Sequence, residues 1–143
     1  MSLILEASIG NLTYPYAMIS SVVNNPGSGM AYVGSVEING HSVYEIRVMR
    51  PVADRPDPRM RLTQDYFIDG ESYLVVRVAD STHLANPPSN FPHAIDYGEY
   101  RNISGLLIPM SISETFMGSS VWTVHLSDIR FNIGLTDSPF AVE

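Results

Sequence analysis

From Met30 onward, apolar residues recur at every second position, and short turn segments interrupt the runs. That period of two belongs to strands, where successive side chains point to opposite faces. Tyr32, Val36 and Ile38 alternate with Val33, Ser35 and Glu37, and Tyr44, Ile46 and Val48 alternate with Glu45 and Arg47. Between them, Asn39-Gly40 invites a two-residue turn. That turn would place the two apolar sets on opposite faces. A three-residue loop with Gly40 in a left-handed conformation places both on one face. The longer loop is the expected one, because a slip of one residue turns over a whole strand.

The same reading extends downstream. Leu62 to Val78 forms a second hairpin turning at Gly70-Glu71-Ser72, with Ile68 facing Leu74 and Tyr66 facing Val76. From His93 three successive strands follow, broken at Asn102–Gly105 and at Gly118–Ser120. Leu106, Ile108, Met110, Ile112 and Phe116 share a face of one long strand, with Phe116 opposite Trp122 and Ile112 opposite Leu126. The apolar phase then slips towards Ile129, Phe131 and Ile133, which a β-bulge at Ser127-Asp128 would explain. Long bulged strands curl, so a strongly curved sheet is expected. Pro51–Arg59 and Asp80–Pro92, the latter holding Asn86-Pro87-Pro88, read as surface loops. One helix is predicted, Tyr14–Asn25, with Thr13 as cap, Pro15 in the first turn and Asn24-Asn25-Pro26-Gly27 as its end. Met18, Ile19, Val22 and Val23 would lay one face of it on the sheet. The fold class is α+β, mainly β: a single domain over 1–143.

Composition narrows the function. The 143 residues suffice for one real core, and 45% hydrophobic against 16% charged residues argues against disorder. The net charge of −7 opposes phosphate backbones, so nucleic acid is not an expected partner. No apolar run approaches the ~20 residues of a membrane helix. All eight basic residues are arginine, which excludes Schiff-base and Walker lysines, and the absence of cysteine excludes thiol catalysis and cysteine metal sites. No signal-peptide pattern opens the chain. Met1-Ser2-Leu3 runs straight into Ile4-Leu5-Glu6, which reads as the scar of a truncated piece.

No reaction is specified. His41, His83, His93 and His125 stand at no metal-ligand spacing, although His83 and His93 bracket a loop with Asp96 near. There is no nucleophile elbow, and Ser119-Ser120 after Gly118 is turn chemistry. Neither a phosphate-binding glycine loop nor a calcium loop is present. Asp65, Asp69, Glu71 and Asp80 read as a solvated acidic face. Arg50, Arg55, Arg59 and Arg61 either dock an anion or balance Asp54 and Asp57 in solvent. Glu114 falls between Ile112 and Phe116 on the apolar face, where desolvation disfavours a charge unless the side chain reaches water. No enzyme activity, cofactor or metal is expected.

One family pattern is recognisable. Asp96-Tyr97-x-x-Tyr100-Arg101-x-x-x-Gly105-Leu106-Leu107-Ile108-Pro109, a strand pair, and Asn132-x-x-x-x-Asp137-Ser138-x-Phe140 resemble the ending of bacterial outer-membrane-lipoprotein-sorting proteins. Gly34-x-x-x-Ile38-Asn39-Gly40-x-x-x-Tyr44-x-Ile46-x-Val48, Phe67-Ile68-Asp69 and Leu74-Val75-Val76-Arg77 fit the same pattern, so the resemblance covers Met30 to Phe140. It implies similarity to periplasmic lipoprotein carriers: an antiparallel half-barrel with helices in its concave side, in the periplasm or cell envelope. The single helix departs from a full-length carrier and suggests the C-terminal portion of a longer envelope protein. On this reading the concave face, Tyr44, Ile46, Val48, Leu74, Val76, Met110, Ile112, Glu114, Phe116 and Trp122, binds an apolar ligand or a lipidated protein. The same residues serve equally well as plain core. In that case the chain is a structural or sensor module, and an unusual hydrolase is the third alternative.

Overall fold

A computed structural model describes residues 15–24, 27–51, 61–84 and 89–131. Seven strands form one antiparallel sheet in the order β1 (Gly29–Ile38), β2 (His41–Pro51), β3 (Arg61–Asp69), β4 (Val75–Leu84), β5 (Ser89–Gly98), β8 (Ser111–Phe116), β9 (Ser119–His125). The sheet is open, with β1 and β9 at its edges. Between β5 and β8 the chain makes a small separate hairpin, β6 (Arg101–Ile103) with β7 (Leu106–Ile108). A nine-residue helix, α1 (Pro15–Val23), contacts β1, β2 and β4.

The first turn corrects the expected loop. Ile38 pairs with His41, and Asn39 (φ 53°) and Gly40 (φ 81°) form a two-residue turn. Two positive φ angles match the right-handed twist of the flanking strands, and asparagine and glycine adopt them most cheaply. The phase conflict this creates is resolved inside β1. A bulge at Val33 lets Tyr32 pair with Ile46 and Met30 with Val48, while Val36 pairs with Val43. Apolar residues thus meet like residues on both sides of the bulge.

The β8–β9 hairpin repeats the device. Met117 (φ 51°) and Gly118 (φ 77°) make another two-residue turn, and a bulge at Val121 restores the phase. Trp122 then pairs with Glu114 and Val124 with Ile112, rather than Trp122 with Phe116 and Leu126 with Ile112. In the second hairpin a bulge at Val76 sets Ile68 against Val75 and Tyr66 against Val78. Leu74 and Val76 are therefore not the partners of Ile68 and Tyr66.

Two further expectations change. The long strand Leu106–Phe116 is broken at Pro109-Met110, because proline cannot donate to a ladder. The Met110 amide bonds the Gly98 carbonyl instead, and the Leu126 amide bonds the Met110 carbonyl. β9 ends at His125, so residues 126–131 do not continue the strand and the bulge at Ser127-Asp128 is absent. Asp80–Leu84 and Ser89–Pro92 are strand, extending β4 and β5 where a loop was expected. Thr13, Tyr14, residues 52–60 with Arg55 and Arg59, Asn86-Pro87-Pro88 and Asn132–Phe140 lie outside the described residues.

The core lies on one face of the sheet. Val48, Tyr66, Val75, Val78, Ile95, Tyr97 and Ile112 form a buried cluster that receives Val22 from α1. Each fully buried side chain of this size contributes on the order of 1.5–3 kcal/mol by leaving water.

Candidate functional site

The strand register sorts the side chains onto two faces, because directly paired residues point the same way. One row on the α1 face runs Tyr32, Ile46, Tyr66, Val78, Ile95, Glu114, Trp122, from edge to edge of the sheet. Its neighbour includes Met30, Val48 and Gln64. The opposite face carries charges. Arg47 binds Asp65 in a bidentate pair at 2.8 and 2.9 Å, and Arg77 binds Asp96 at 2.6 and 3.1 Å. These ion pairs are half-exposed, while Val43 and Asp69 on the same face are buried.

The expected binding residues divide accordingly. Tyr44, Ile46, Val48, Ile112, Glu114, Phe116 and Trp122 share the α1 face. Val48 and Ile112 are buried core beneath the helix cluster, and Ile46 and Trp122 pack against its edge. Met110 is buried where the chain passes from β7 into β8. Leu74 and Val76 instead line an open groove of about 760 Å³ with Val43, Asp69, Arg77 and Asp96. The bulge at Val76 explains the separation: one extra residue on β4 carries this pair away from the core face.

Beyond the helix the apolar face continues into the open. Met30 is 46% exposed, Tyr32 63% and Tyr44 39%, and the Tyr32 and Tyr44 rings meet edge to face at 6.4 Å. Val23, the last residue of α1, is exposed as well. Single exposed apolar residues are ordinary, but a set sharing one face of an edge hairpin forms a patch. The sequence pattern placed Tyr44 in the site and left out Met30 and Tyr32. The Val33 bulge hid them, since it shifts their phase relative to Val36 and Ile38.

A polar set is embedded in the same face. The Glu114 carboxylate lies 2.7 Å from His93 Nε2, with side chains 12% and 8% exposed. Arg50 Nη2 donates to Gln64 Oε1 at 3.1 Å, and Gln64 is 2% exposed. The Tyr66 hydroxyl is buried with no hydrogen-bond partner among the described residues, and so is Arg50 Nε. Burial pushes Tyr66 up to about 12, opposed by the Arg50 charge, so the hydroxyl stays protonated at neutral pH. Burial also raises Tyr97, with a further contribution from Tyr66. Of the anticipated group, His93 bonds Glu114 and Asp96 is held by Arg77, while the His83 side chain lies outside the described set. His41 lies 3.6 Å from Asp69 and His125 4.0 Å from Glu99, both largely exposed. Ser119 and Ser120 open β9 as ladder residues opposite Phe116 and Thr115. Among the described residues, no group of histidines and carboxylates could hold a metal, and no helix is long and apolar enough to cross a membrane.

Known proteins add one likeness. No family model matches the sequence, and no curated protein matches it. Among solved structures, a domain from Vibrio parahaemolyticus assigned as an outer membrane lipoprotein-sorting protein aligns with a TM-score of 0.55 at 15% identity. The two share a fold. The alignment covers 80% of this chain and 46% of the other, so the chain spans less than half of its neighbour. At that identity the likeness carries architecture alone, and it is the architecture the residue pattern from Met30 onward resembles.

Proposed function

We propose that this chain is a non-enzymatic domain of the bacterial cell envelope or periplasm that binds an apolar ligand or a lipidated protein on the α1 face of its sheet. The observation that carries the reading is the continuity of that face. It is core where Val22 covers it and solvent-exposed at Met30, Tyr32 and Tyr44. An acyl chain laid on the rim would bury aromatic and aliphatic surface at ~25 cal/mol per Å², with few polar constraints on chain length or branching. The helix serves as a cover: nine residues form too short a helix to persist in water without packing. The shared fold with a lipoprotein-sorting domain supports the same reading. The partner is then a lipid or lipoprotein.

Titration with a fluorescent acyl probe tests it. Saturable binding at one site is expected, weakened at least about tenfold when Tyr32→Asp and Tyr44→Asp are combined, because two charges would then sit in the acyl path. No saturable binding by the wild-type protein would refute the proposal. The second reading, an interaction module with a filled core, is favoured by the burial of Val48, Ile112 and Met110. It predicts a stable protein complex and no probe uptake.

A further inference from the structure

We propose that Arg50 and Tyr66 together bind the carboxylate of a fatty acid whose chain lies along the Met30–Tyr32–Tyr44 rim. This rests on the acyl-binding reading above and adds the head-group chemistry. Arg50 follows Ile46 and Val48 at alternate positions of β2, so its side chain rises on the α1 face. Tyr66 stands on that face in β3, in register with Ile46, which pairs in turn with Tyr32 on β1. The Tyr66 backbone is therefore about two strand spacings, ~10 Å, from that of Tyr32 on the exposed rim, within the span of one acyl chain.

Two donors there lack an acceptor. The Tyr66 side chain is fully buried and its hydroxyl bonds nothing among the described residues; Arg50 Nε is likewise buried and unbonded. A buried donor without an acceptor is costly, and a bound anion would satisfy both of these. The contrast with the other sheet face is instructive. Arg47 and Arg77 each hold a carboxylate in a bidentate pair, whereas the partner of Arg50 among the described residues is the neutral Gln64 amide oxygen. A guanidinium fork is matched by a carboxylate, and the Tyr66 phenol, within reach of the Arg50 charge, supplies a further donor to the same anion. Glu114 stands four strands away on β8, with its carboxylate engaged by His93, so it does not compete for Arg50. Reaching Tyr66 requires α1 to move, because Val22 packs in the cluster that contains Tyr66.

Palmitic acid, hexadecanol and methyl palmitate present the same chain with different heads. Displacement of a fluorescent acyl probe at neutral pH should show the acid binding at least about tenfold more tightly than the alcohol or the ester. Arg50→Met should erase that preference. Tyr66→Phe, which keeps the ring and the packing, should weaken the acid about fivefold and leave the alcohol unchanged. Circular dichroism and urea midpoints identify any variant that has lost its fold; the wild-type comparison of acid with alcohol needs no variant. Equal affinity for acid and alcohol, or a preference that survives Arg50→Met, overturns the carboxylate site and leaves the acyl-binding face standing. Failure of all three lipids to displace or replace the probe overturns both.

Discussion

Asp69 shows how one side chain fixes the position of a hairpin. Its carboxylate accepts from the Ser72 hydroxyl at 2.6 Å, the Ser72 amide at 2.7 Å and the Glu71 amide at 3.2 Å, bracing the turn that leads from β3 to β4. Gly70 next to it approaches the Ser42 carbonyl so closely that a Cβ would lie 3.0 Å from that oxygen, and the Gly70 amide donates to it. The bonds from Ser72, then from Glu71 and the charge of His41, hold Asp69 below the ordinary value of 3.8 despite some desolvation. A carboxyl whose folded value is lowered adds stability above its unfolded value, and that contribution is lost as pH falls through the folded value. Asp69→Asn should therefore be less stable than the wild type at neutral pH. Urea midpoints of the two proteins should converge as pH falls below the ordinary carboxylate range. A gap that stays constant with pH would contradict the role given to this carboxylate. The sequence marked Asp69 as part of a solvated acidic patch, because nothing in residue spacing distinguishes a turn brace from a surface charge.

At the scale of elements, the strands were legible and their registers were not. Alternation from Met30 onward and the Gly40, Gly70 and Gly118 turns located the hairpins. Side-chain facing failed three times for one physical reason: the positive-φ turns are as short as two residues, and bulges at Val33, Val76 and Val121 absorb the phase error within strands. Valine at each bulge looks like an ordinary strand residue, so pattern alone counts it as a ladder position. Deleting Val33 tests this account. The regular pairing that results would keep Tyr32 opposite Ile46, so the deletion should cost no more than about 1 kcal/mol in urea unfolding. Deleting Glu45 from the central strand β2 should abolish cooperative unfolding, since it turns half of β2 over against β3. Equal damage from the two deletions would contradict the bulge assignment. Pro109 stands within an unbroken apolar period, which masks in the sequence the break it makes between β7 and β8.

For the molecule as a whole, the sheet divides into a charged face with a groove and an apolar face that α1 only partly covers. A sheet of seven strands is about 29 Å across between its edge strands, against roughly 10 Å for the width of a helix. Part of the expected site became core: Val48 and Ile112 are buried, and Met110 is sealed at a chain crossing. Another part, Leu74 and Val76, moved to the groove. What the sequence could not reveal was the polar set of Arg50, Gln64, Tyr66 and His93 inside an apolar face, because these residues come from three strands separated by long stretches of chain. Glu114 alone announced itself, as a charge within an apolar alternation, and the structure gives it a histidine partner. Native mass spectrometry of the protein after exposure to a mixture of fatty acids and phospholipids tests the central claim most directly. The account predicts one acyl-chain molecule per protein, with the adduct lost from the Tyr32→Asp, Tyr44→Asp double variant. A spectrum of bare protein only, at lipid concentrations that saturate ordinary micromolar acyl binders, would contradict it.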